Sequence, residues 1–237
     1  MTSRTCISLV LAIALAGSTH AAEAPRISPA TDAASAGLLE IRTLAPRIEL
    51  DIRYAGANNF TGARVPGYES SSCYLLAPVA KALAAVEGDL RADGYALRIY
   101  DCYRPVRSVQ AFMAWVRDPH EQSRKALQYP DLDKPRLLAD GYIAERSGHS
   151  RGATVDLGLL DCRPGTCVVM DMGTDFDFFG VRAHTDAAGL TAAQRENRQR
   201  LLQAMARRGF ANYPQEWWHY TLQPEPDAGT AYDFPVR

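Results

Sequence analysis

This sequence of 237 residues lacks an excess of either charge, since 26 Lys and Arg stand against 27 Asp and Glu, for a formal net charge of −1. Without a basic excess or a Lys/Arg cluster, neither nucleic acid nor an anionic membrane surface is expected as a partner. After residue 16 there is also no apolar run of the roughly 20 residues that a membrane-spanning helix needs. The overall charge of the protein is therefore not expected to attract its binding partner.

The sequence also lacks two short motifs that mark common metal sites. It has no HExxH zinc motif and no CxxC pair of the kind that holds structural zinc. A catalytic site has to be sought in other patterns of residues.

The first 22 residues have the layout of a secretory signal peptide. A short basic start is followed by an apolar run over 7–16 and by small residues before a cut near Ala21 or Ala22. A membrane anchor is the alternative, but about ten apolar residues are too few to cross a bilayer. We therefore expect an exported, periplasmic protein without a membrane segment, with a flexible N-terminal arm at 23–40 and a single domain at 41–237.

Four cysteines remain after removal of the signal, namely Cys73, Cys102, Cys162 and Cys167. An even number in an exported chain indicates two disulfides, for which three connectivities are possible. Cys162 and Cys167 flank the turn-forming tetrapeptide Arg-Pro-Gly-Thr and could meet across a hairpin, which would leave Cys73 to pair with Cys102. Zinc binding by the cysteines is the alternative, although no CxxC pair supports it.

The mixed order of predicted helices and strands indicates an α+β fold, with helices packed on a mainly antiparallel sheet. Apolar residues at helical spacing predict helices from Pro78 to Gly94, from Pro105 onward, and from a capping box at Thr191 to Gly209. Stretches rich in β-branched, aromatic and leucine residues predict strands over 48–54, 96–101, 154–160 and 217–222.

The stretch SGHSRGATVDLGL (147–159) presents a histidine ahead of a strand. Two glycines bracket His149, which suits a tight turn of the backbone. In the strand that follows, alternate apolar residues share one face and leave Asp156 on the other. A carboxylate buried there needs a partner, which is either a metal shared with His149 or an ion pair with His149 or Arg151.

A second stretch, PQEWWHY (214–220), predicts an aromatic strand after a turn at its proline. On a regular strand Glu216 and His219 would face opposite ways, so Glu216 is expected to belong to the turn. His219 would then reach inward while Glu216 arrives from the side. The alternative is an edge strand on which both side chains are exposed.

Together the two stretches offer His149, Asp156 and His219, which is the ligand composition of a catalytic zinc site with an open position for water. Zinc acidifies such a water, and a carboxylate outside the ligand set is then needed to take the proton and deliver it to the leaving group. Glu216 is the candidate for that role. His184 lies in a loop-like stretch and is not expected to be a ligand.

These residues resemble the zinc D-alanyl-D-alanine dipeptidases, the VanX-like family of D-Ala-D-Ala metallopeptidases. The likeness begins with SGHSRGATVDLGL and EWWHY and extends over nearly all of the mature chain. Four further stretches fit the family: YAGANNFTGARVPGYE (54–69), DCYRPVRSVQAFMAW (101–115), MGTDFDFF (172–179) and YDFPVR (232–237). The resemblance implies hydrolysis of the dipeptide D-Ala-D-Ala to two D-alanine with one zinc ion per chain.

Carried over by position, the resemblance implies zinc on His149, Asp156 and His219. It implies Glu216 as general base and acid, and Arg104 as the group that stabilises the oxyanion.

For the substrate's two charged ends, the resemblance implies Asp177 and Tyr54 at the ammonium. It implies Ser147 and Tyr68 at the carboxylate.

The sequence departs from the family in its export signal and its cysteines. Cys102 lies in the same segment as Arg104, and a bond from Cys102 to Cys73 would brace that arginine. The alternative for Arg104 is a structural ion pair with Asp101 at the start of a helix.

Two other functions remain open at this point. A D-Ala-D-Ala carboxypeptidase or peptidoglycan endopeptidase would use the same zinc chemistry and differs in whether the substrate's ammonium is bound. A catalytically inactive wall-binding domain would keep the fold without turnover.

Overall fold

The computed structural model describes residues 24–237, so the predicted signal peptide lies outside the described residues. The α-helices are α1 (Ala77–Ala92), α2 (Val106–Arg117), α3 (Lys125–Gln128), α4 (Lys134–Ala139) and α5 (Ala192–Ala206). The strands are β1 (Arg26–Ile27), β2 (Leu38–Glu40), β3 (Glu49–Leu50), β4 (Tyr74–Leu76), β5 (Tyr95–Asp101), β6 (Thr154–Asp161), β7 (Val168–Val169), β8 (Phe210–Asn212), β9 (His219–Leu222) and β10 (Thr230–Ala231).

The three helices predicted from apolar spacing are α1, α2 and α5. The capping box at the start of α5 is present, because the Thr191 side chain accepts from the backbone N–H of Gln194 and the Gln194 side chain accepts from that of Thr191. The shorter helices α3 and α4 escaped prediction because four and six residues are too few to show a helical period. Within residues 24–237, no helix combines the length and the apolar character that crossing a membrane requires. On α1 the predicted apolar positions are all buried: Val79, Leu83, Val86 and Leu90.

The main sheet has the strand order β3-β5-β6-β9-β8, with β7 paired to β6. Its pairs are antiparallel except for β3 and β5, which run parallel. The predicted α+β fold is confirmed, and the sheet is mixed rather than purely antiparallel. The strand predicted over 48–54 is limited to Glu49–Leu50, because the chain turns into 3₁₀ helix at Arg53–Ala55.

Strand β6 lies inside the sheet and seven of its eight residues are buried. Helices α1 and α5 contact each other and pack on the sheet through β5, β6 and β8. Asp156, the carboxylate in the middle of β6, is buried as well.

The segment 24–40, predicted as a flexible arm, is hydrogen-bonded to the domain in two places. Strand β1 pairs with β10 near the end of the chain, and β2 pairs with β4. Leu38 is buried in the core. Strand pairing of the folded unit therefore begins ahead of residue 41.

Both disulfides have the pairing that the turn between Cys162 and Cys167 favoured. One joins Cys162 to Cys167, and the other joins Cys73 to Cys102. The second bond ties the residue just before β4 to the residue just after β5. The alternative of zinc-binding cysteines is excluded, because all four sulfurs are bonded in pairs.

The buried guanidinium of Arg198 holds the segment between β7 and α5 in place through hydrogen bonds. Arg198 on α5 is 1% exposed. Its guanidinium donates to the backbone carbonyls of Met172, Arg182 and His184. Burial lowers the pKa of Arg198 to about 10. Since the three carbonyls lie near the two ends of the segment 172–184, this side chain determines the path of that segment.

We expect Arg198→Met to lower the free energy of unfolding by about 3 kcal/mol, because three buried carbonyls lose their charged donor. Urea denaturation of the purified protein measures this change. The matched control is Arg207→Met at the exposed end of α5, for which a change within about 0.5 kcal/mol is expected. Equal midpoints for the two variants would contradict the assigned role of Arg198.

Candidate active site

His149 lies in a single 3₁₀ turn, Gly148–Arg151, that leads into β6. The Ser147 hydroxyl accepts from the backbone N–H of His149 at 3.3 Å, and Gly152 ends the turn with φ at +70°. The imidazole is fully buried, and its Nδ1 lies 2.7 Å from the carbonyl oxygen of Cys102. Because a carbonyl only accepts, Nδ1 carries the hydrogen and Nε2 keeps its lone pair for a ligand.

Asp156 and His219 are brought together by the register of the sheet. Strands β6 and β9 are antiparallel, and Asp156 is directly opposite His219 in the pairing. Side chains opposite one another in an antiparallel pair lie on the same face with Cβ atoms about 5 Å apart. Residues 63 positions apart in the chain thus become neighbours, as the prediction required.

The three predicted metal ligands converge. Nε2 of His149 is 3.2 Å from Oδ2 of Asp156 and 3.4 Å from Nδ1 of His219. Oδ1 of Asp156 is 3.0 Å from the same Nδ1. One ligand atom from each residue therefore lies within 4.8 Å of the others.

One carboxylate oxygen of Asp156 receives no hydrogen bond from the described residues. Oδ1 of Asp156 is buried and accepts no hydrogen bond from residues 24–237, despite its short distance to His219. Burial would raise the pKa of Asp156, but His149 and His219 outweigh it and hold that pKa below its ordinary value. A buried carboxylate with an unused oxygen between two imidazole nitrogens fits a divalent metal, and this donor set suits zinc.

Glu216 belongs to the turn before β9, as predicted, and not to the strand. Its backbone N–H donates to the carbonyl of Tyr213, and its own carbonyl accepts from the Asn212 side chain. Oε2 lies 3.4 Å from Nδ1 of His219, beside the ligand set. Burial raises the pKa of Glu216 to about 7. The carboxyl group can therefore exchange a proton near neutral pH.

Arg104 is held beside the cluster by ion pairs and by cation–π contacts. Its guanidinium bonds Asp101 at 2.9 Å and Asp156 at 3.4 Å. The guanidinium carbon also lies 5.0 Å from the ring centre of Tyr54 and 5.1 Å from that of Phe112. Such cation–π contacts restrict the side chain as well as attract it. The structural pair with Asp101 and a place beside the metal ligands are therefore both present.

Asp177 faces the site with one oxygen unused. The Tyr54 hydroxyl donates to Oδ1 at 3.0 Å, whereas Oδ2 is buried without a hydrogen bond from residues 24–237. Burial, aided by the nearby charge of Asp156, raises the pKa of Asp177 well above its usual range. The backbone of Asp177 is left-handed, with φ at +61°, which is uncommon for a residue other than glycine. A cation placed against Oδ2 would offset the cost of burying this carboxylate.

A cavity of about 270 Å³ joins most of these groups. It is lined by seven of the nine predicted site residues: Tyr54, Arg104, Ser147, Asp156, Asp177, Glu216 and His219. His149 is fully buried and does not line the cavity, but it belongs to the cluster of candidate ligands.

Tyr68 is not brought to the cavity. Its hydroxyl is buried and donates to Asp101 at 2.6 Å, so it is not free to bind a substrate carboxylate. Tyr68 instead supports Asp101, which holds Arg104. His184 contacts the Tyr142 hydroxyl at 3.0 Å and is outside the metal cluster, as predicted.

Asp101 and Cys102 make contacts beyond those that the sequence suggested. Asp101 is fully buried and forms the expected pair with Arg104, but it also binds Tyr68 and is opposite Asp156 in the pairing of β5 with β6. The Cys102 carbonyl orients His149, and the adjacent disulfide to Cys73 fixes that carbonyl's segment. Nothing in the sequence indicated the contacts with Tyr68 and His149.

Comparisons with known proteins identify a matching family and several relatives. The family model described as D-ala-D-ala dipeptidase, Peptidase_M15, matches residues 34–237. A D-alanyl-D-alanine dipeptidase of Enterococcus faecium is 38% identical over 190 residues, which cover 80% of this chain and 93% of the relative. One from Streptomyces coelicolor is 39% identical over 189 residues, covering 80% and 93%. A solved structure of the vancomycin-resistance D,D-pentapeptidase VanY in complex with Zn(II) aligns over 65% of this chain and 76% of its own. The sequence identity is 19% and the TM-score is 0.40.

We expect Asp156→Asn to weaken zinc binding strongly, because the substitution removes a charged ligand. Loss of a hydrogen bond that only supports a ligand already lowers metal affinity by roughly 10–100-fold, and the effect of Asp156→Asn should be larger. Metal content after dialysis and calorimetric titration with zinc measure the change. Asp161→Asn, at the half-buried far end of the same strand, is the matched control and should bind zinc as the unaltered protein does. Equal zinc affinity in both variants would place the metal elsewhere.

Proposed function

Because this chain belongs to the D-Ala-D-Ala dipeptidase family of Peptidase_M15, we propose that it hydrolyses the free dipeptide D-Ala-D-Ala to two D-alanine with one zinc ion. The proposal rests on the convergence of five side chains at one site. They are three candidate metal ligands, a buried glutamate, and an aspartate with one oxygen that receives no hydrogen bond from the described residues. The cavity of about 270 Å³ is at the lower end for small-molecule sites, and this size suits two alanine residues.

His149, Asp156 and His219 would hold the zinc ion. When bound, zinc would polarise the peptide carbonyl and acidify a water molecule. The hydrogen bond from His149 to the Cys102 carbonyl keeps Nε2 available for this purpose. The charge of Asp156 would offset part of the metal's charge in a buried setting.

Glu216 is the general base and acid of the proposed reaction. In its ionised form it takes a proton from the attacking water, and it then delivers that proton to the leaving nitrogen. The carboxyl group returns to its starting state after each turnover. Burial gives Glu216 a pKa of about 7, which suits both transfers. Its position 3.4 Å from His219 keeps it next to the ligands and outside their set.

Arg104 stabilises the negative charge that develops on the peptide oxygen during attack. Its guanidinium is fixed before the reaction by Asp101 and by the rings of Tyr54 and Phe112, so little reorganisation is needed. Prepositioned donors of this kind contribute about 3–4 kcal/mol in well-studied sites.

Asp177 binds the substrate's ammonium group. Its unused Oδ2 provides an acceptor, and Tyr54 holds the other oxygen in place. This contact separates a dipeptidase from a D-Ala-D-Ala carboxypeptidase or peptidoglycan endopeptidase, whose substrates carry an acylated nitrogen at that point. A catalytically inactive wall-binding domain would have no use for Glu216 and Arg104 beside the ligands.

We also propose that the enzyme works outside the cytoplasm, in the periplasm. The signal-like layout of residues 1–22 and the two disulfides support this location, because disulfides persist in oxidising compartments. Its substrate there would be dipeptide released from the cell wall.

We expect Glu216→Ala to lower kcat for D-Ala-D-Ala by about 10²–10⁴-fold, because proton transfer to and from the reacting atoms is lost. Zinc content should stay at one per chain, since Glu216 is outside the ligand set. Steady-state kinetics and metal analysis give the two readouts. Glu196→Ala, exposed on α5, is the control and should keep full activity. Turnover that survives in Glu216→Ala would remove Glu216 from the mechanism.

The choice of substrate tests the role of Asp177. We expect the unaltered enzyme to release D-alanine from free D-Ala-D-Ala and not from a wall pentapeptide that ends in D-Ala-D-Ala. Asp177→Asn should raise KM for the dipeptide by about tenfold or more, because the ammonium loses its charged acceptor. Release of D-alanine from the pentapeptide alone would instead identify a carboxypeptidase.

A further inference from the structure

The substrate's carboxylate still needs a positively charged partner in the catalytic cavity. Tyr68 does not supply one, because its hydroxyl donates to Asp101. Ser147 lines the cavity and its hydroxyl can donate to a carboxylate, but this hydroxyl carries no charge. A free carboxylate is bound most strongly by a positively charged donor.

Two arginines line the cavity, and they differ in how their charge is used. Arg104 is shared between Asp101 and Asp156, so its charge is already balanced inside the protein. Arg146 is exposed at the cavity and makes no ion pair with any residue of 24–237. The adjacent Glu145 is turned to Arg117, at 3.5 Å, rather than to Arg146.

The position of Arg146 is determined by the turn that carries the first metal ligand. Arg146 precedes Ser147, whose hydroxyl caps the turn, and lies three residues before His149. It also lines a neighbouring cavity of about 200 Å³, which shares Val109 and Ser147 with the catalytic one. Ala24, Pro25 and Ile27, which precede the family match at residue 34, also line that cavity. The N-terminal segment thus lies on the side of the site where Arg146 lies.

We propose that Arg146 binds the C-terminal carboxylate of the dipeptide and restricts the enzyme to substrates with a free carboxyl end. This inference rests on the proposed function. The zwitterionic substrate would then meet an unpaired carboxylate oxygen at Asp177 and an unpaired guanidinium at Arg146. Arg146 would act on binding and not on the chemical step, because it does not contact the metal ligands or Glu216.

The test compares D-Ala-D-Ala with D-alanyl-D-alanine amide, which lacks only the negative charge, in the zinc-loaded full-length protein. The unaltered enzyme should prefer the free acid by about tenfold or more in kcat/KM. Arg146→Gln should raise KM for the acid about fivefold to tenfold, leave kcat within about twofold, and bring the acid-to-amide preference close to one. Arg146→Lys should keep part of the preference, because it keeps the charge and loses the two-pronged geometry.

The matched control is Arg64→Gln, which removes the same charge from an exposed position that lines neither cavity. It should retain the preference of the unaltered enzyme. An acid-to-amide preference that is unchanged in Arg146→Gln would overturn the assignment of Arg146 while leaving the dipeptidase function intact. Equal rates on acid and amide in the unaltered enzyme would also overturn it. Absence of any hydrolysis of either compound would reject the proposed function itself and this inference with it.

Discussion

The active site depends on the register of two antiparallel strands. Strand β6 carries Asp156, strand β9 carries His219, and the pairing sets them directly opposite each other. A slip of one residue would turn one of the two side chains to the other face of the sheet and dismantle the cluster. On the other side of β6, strand β5 places Asp101 opposite Asp156. The sheet thus presents two carboxylates and an imidazole in a row, and His149 reaches this row from the turn before β6.

Buried charge explains how these groups can serve as a site. The guanidinium of Arg104 balances the charge of Asp101, and the Tyr68 hydroxyl donates a hydrogen bond to the same carboxylate. Asp101 therefore has its partners inside the protein. Asp156 and Asp177 each retain a buried oxygen without a hydrogen bond from the described residues. Because such oxygens are costly unless a cation meets them, the cavity is complementary to positive charge at two points. A metal ion would meet the first point and a substrate ammonium the second.

The accuracy of sequence-based prediction varied with how local each interaction is. The capping box of Thr191 and the turn around His149 involve neighbours in the chain, and both are present as predicted. The position of Glu216 followed from the alternation of side chains along a strand. For Arg104 the sequence offered a structural pair or a catalytic position. The structure has the pair with Asp101 and also brings the guanidinium within 3.4 Å of Asp156, one of the three predicted metal ligands. The contact of Tyr68 with Asp101 could not be predicted from spacing, because the two residues are 33 positions apart in the chain.

The sequence by itself determined the chemistry that is available: two imidazoles, a strand-borne carboxylate, a glutamate in a turn and an arginine ahead of a helix. These follow from residue type and from local periods of the backbone. The tertiary structure decided which polar groups are consumed inside the protein and which remain free. Asp101 takes up the Tyr68 hydroxyl and orients Arg104 at the cavity, whereas Asp177 and Arg146 keep charged atoms there without a partner among the described residues. That division depends on contacts between distant segments, and burial and strand register set them rather than sequence spacing.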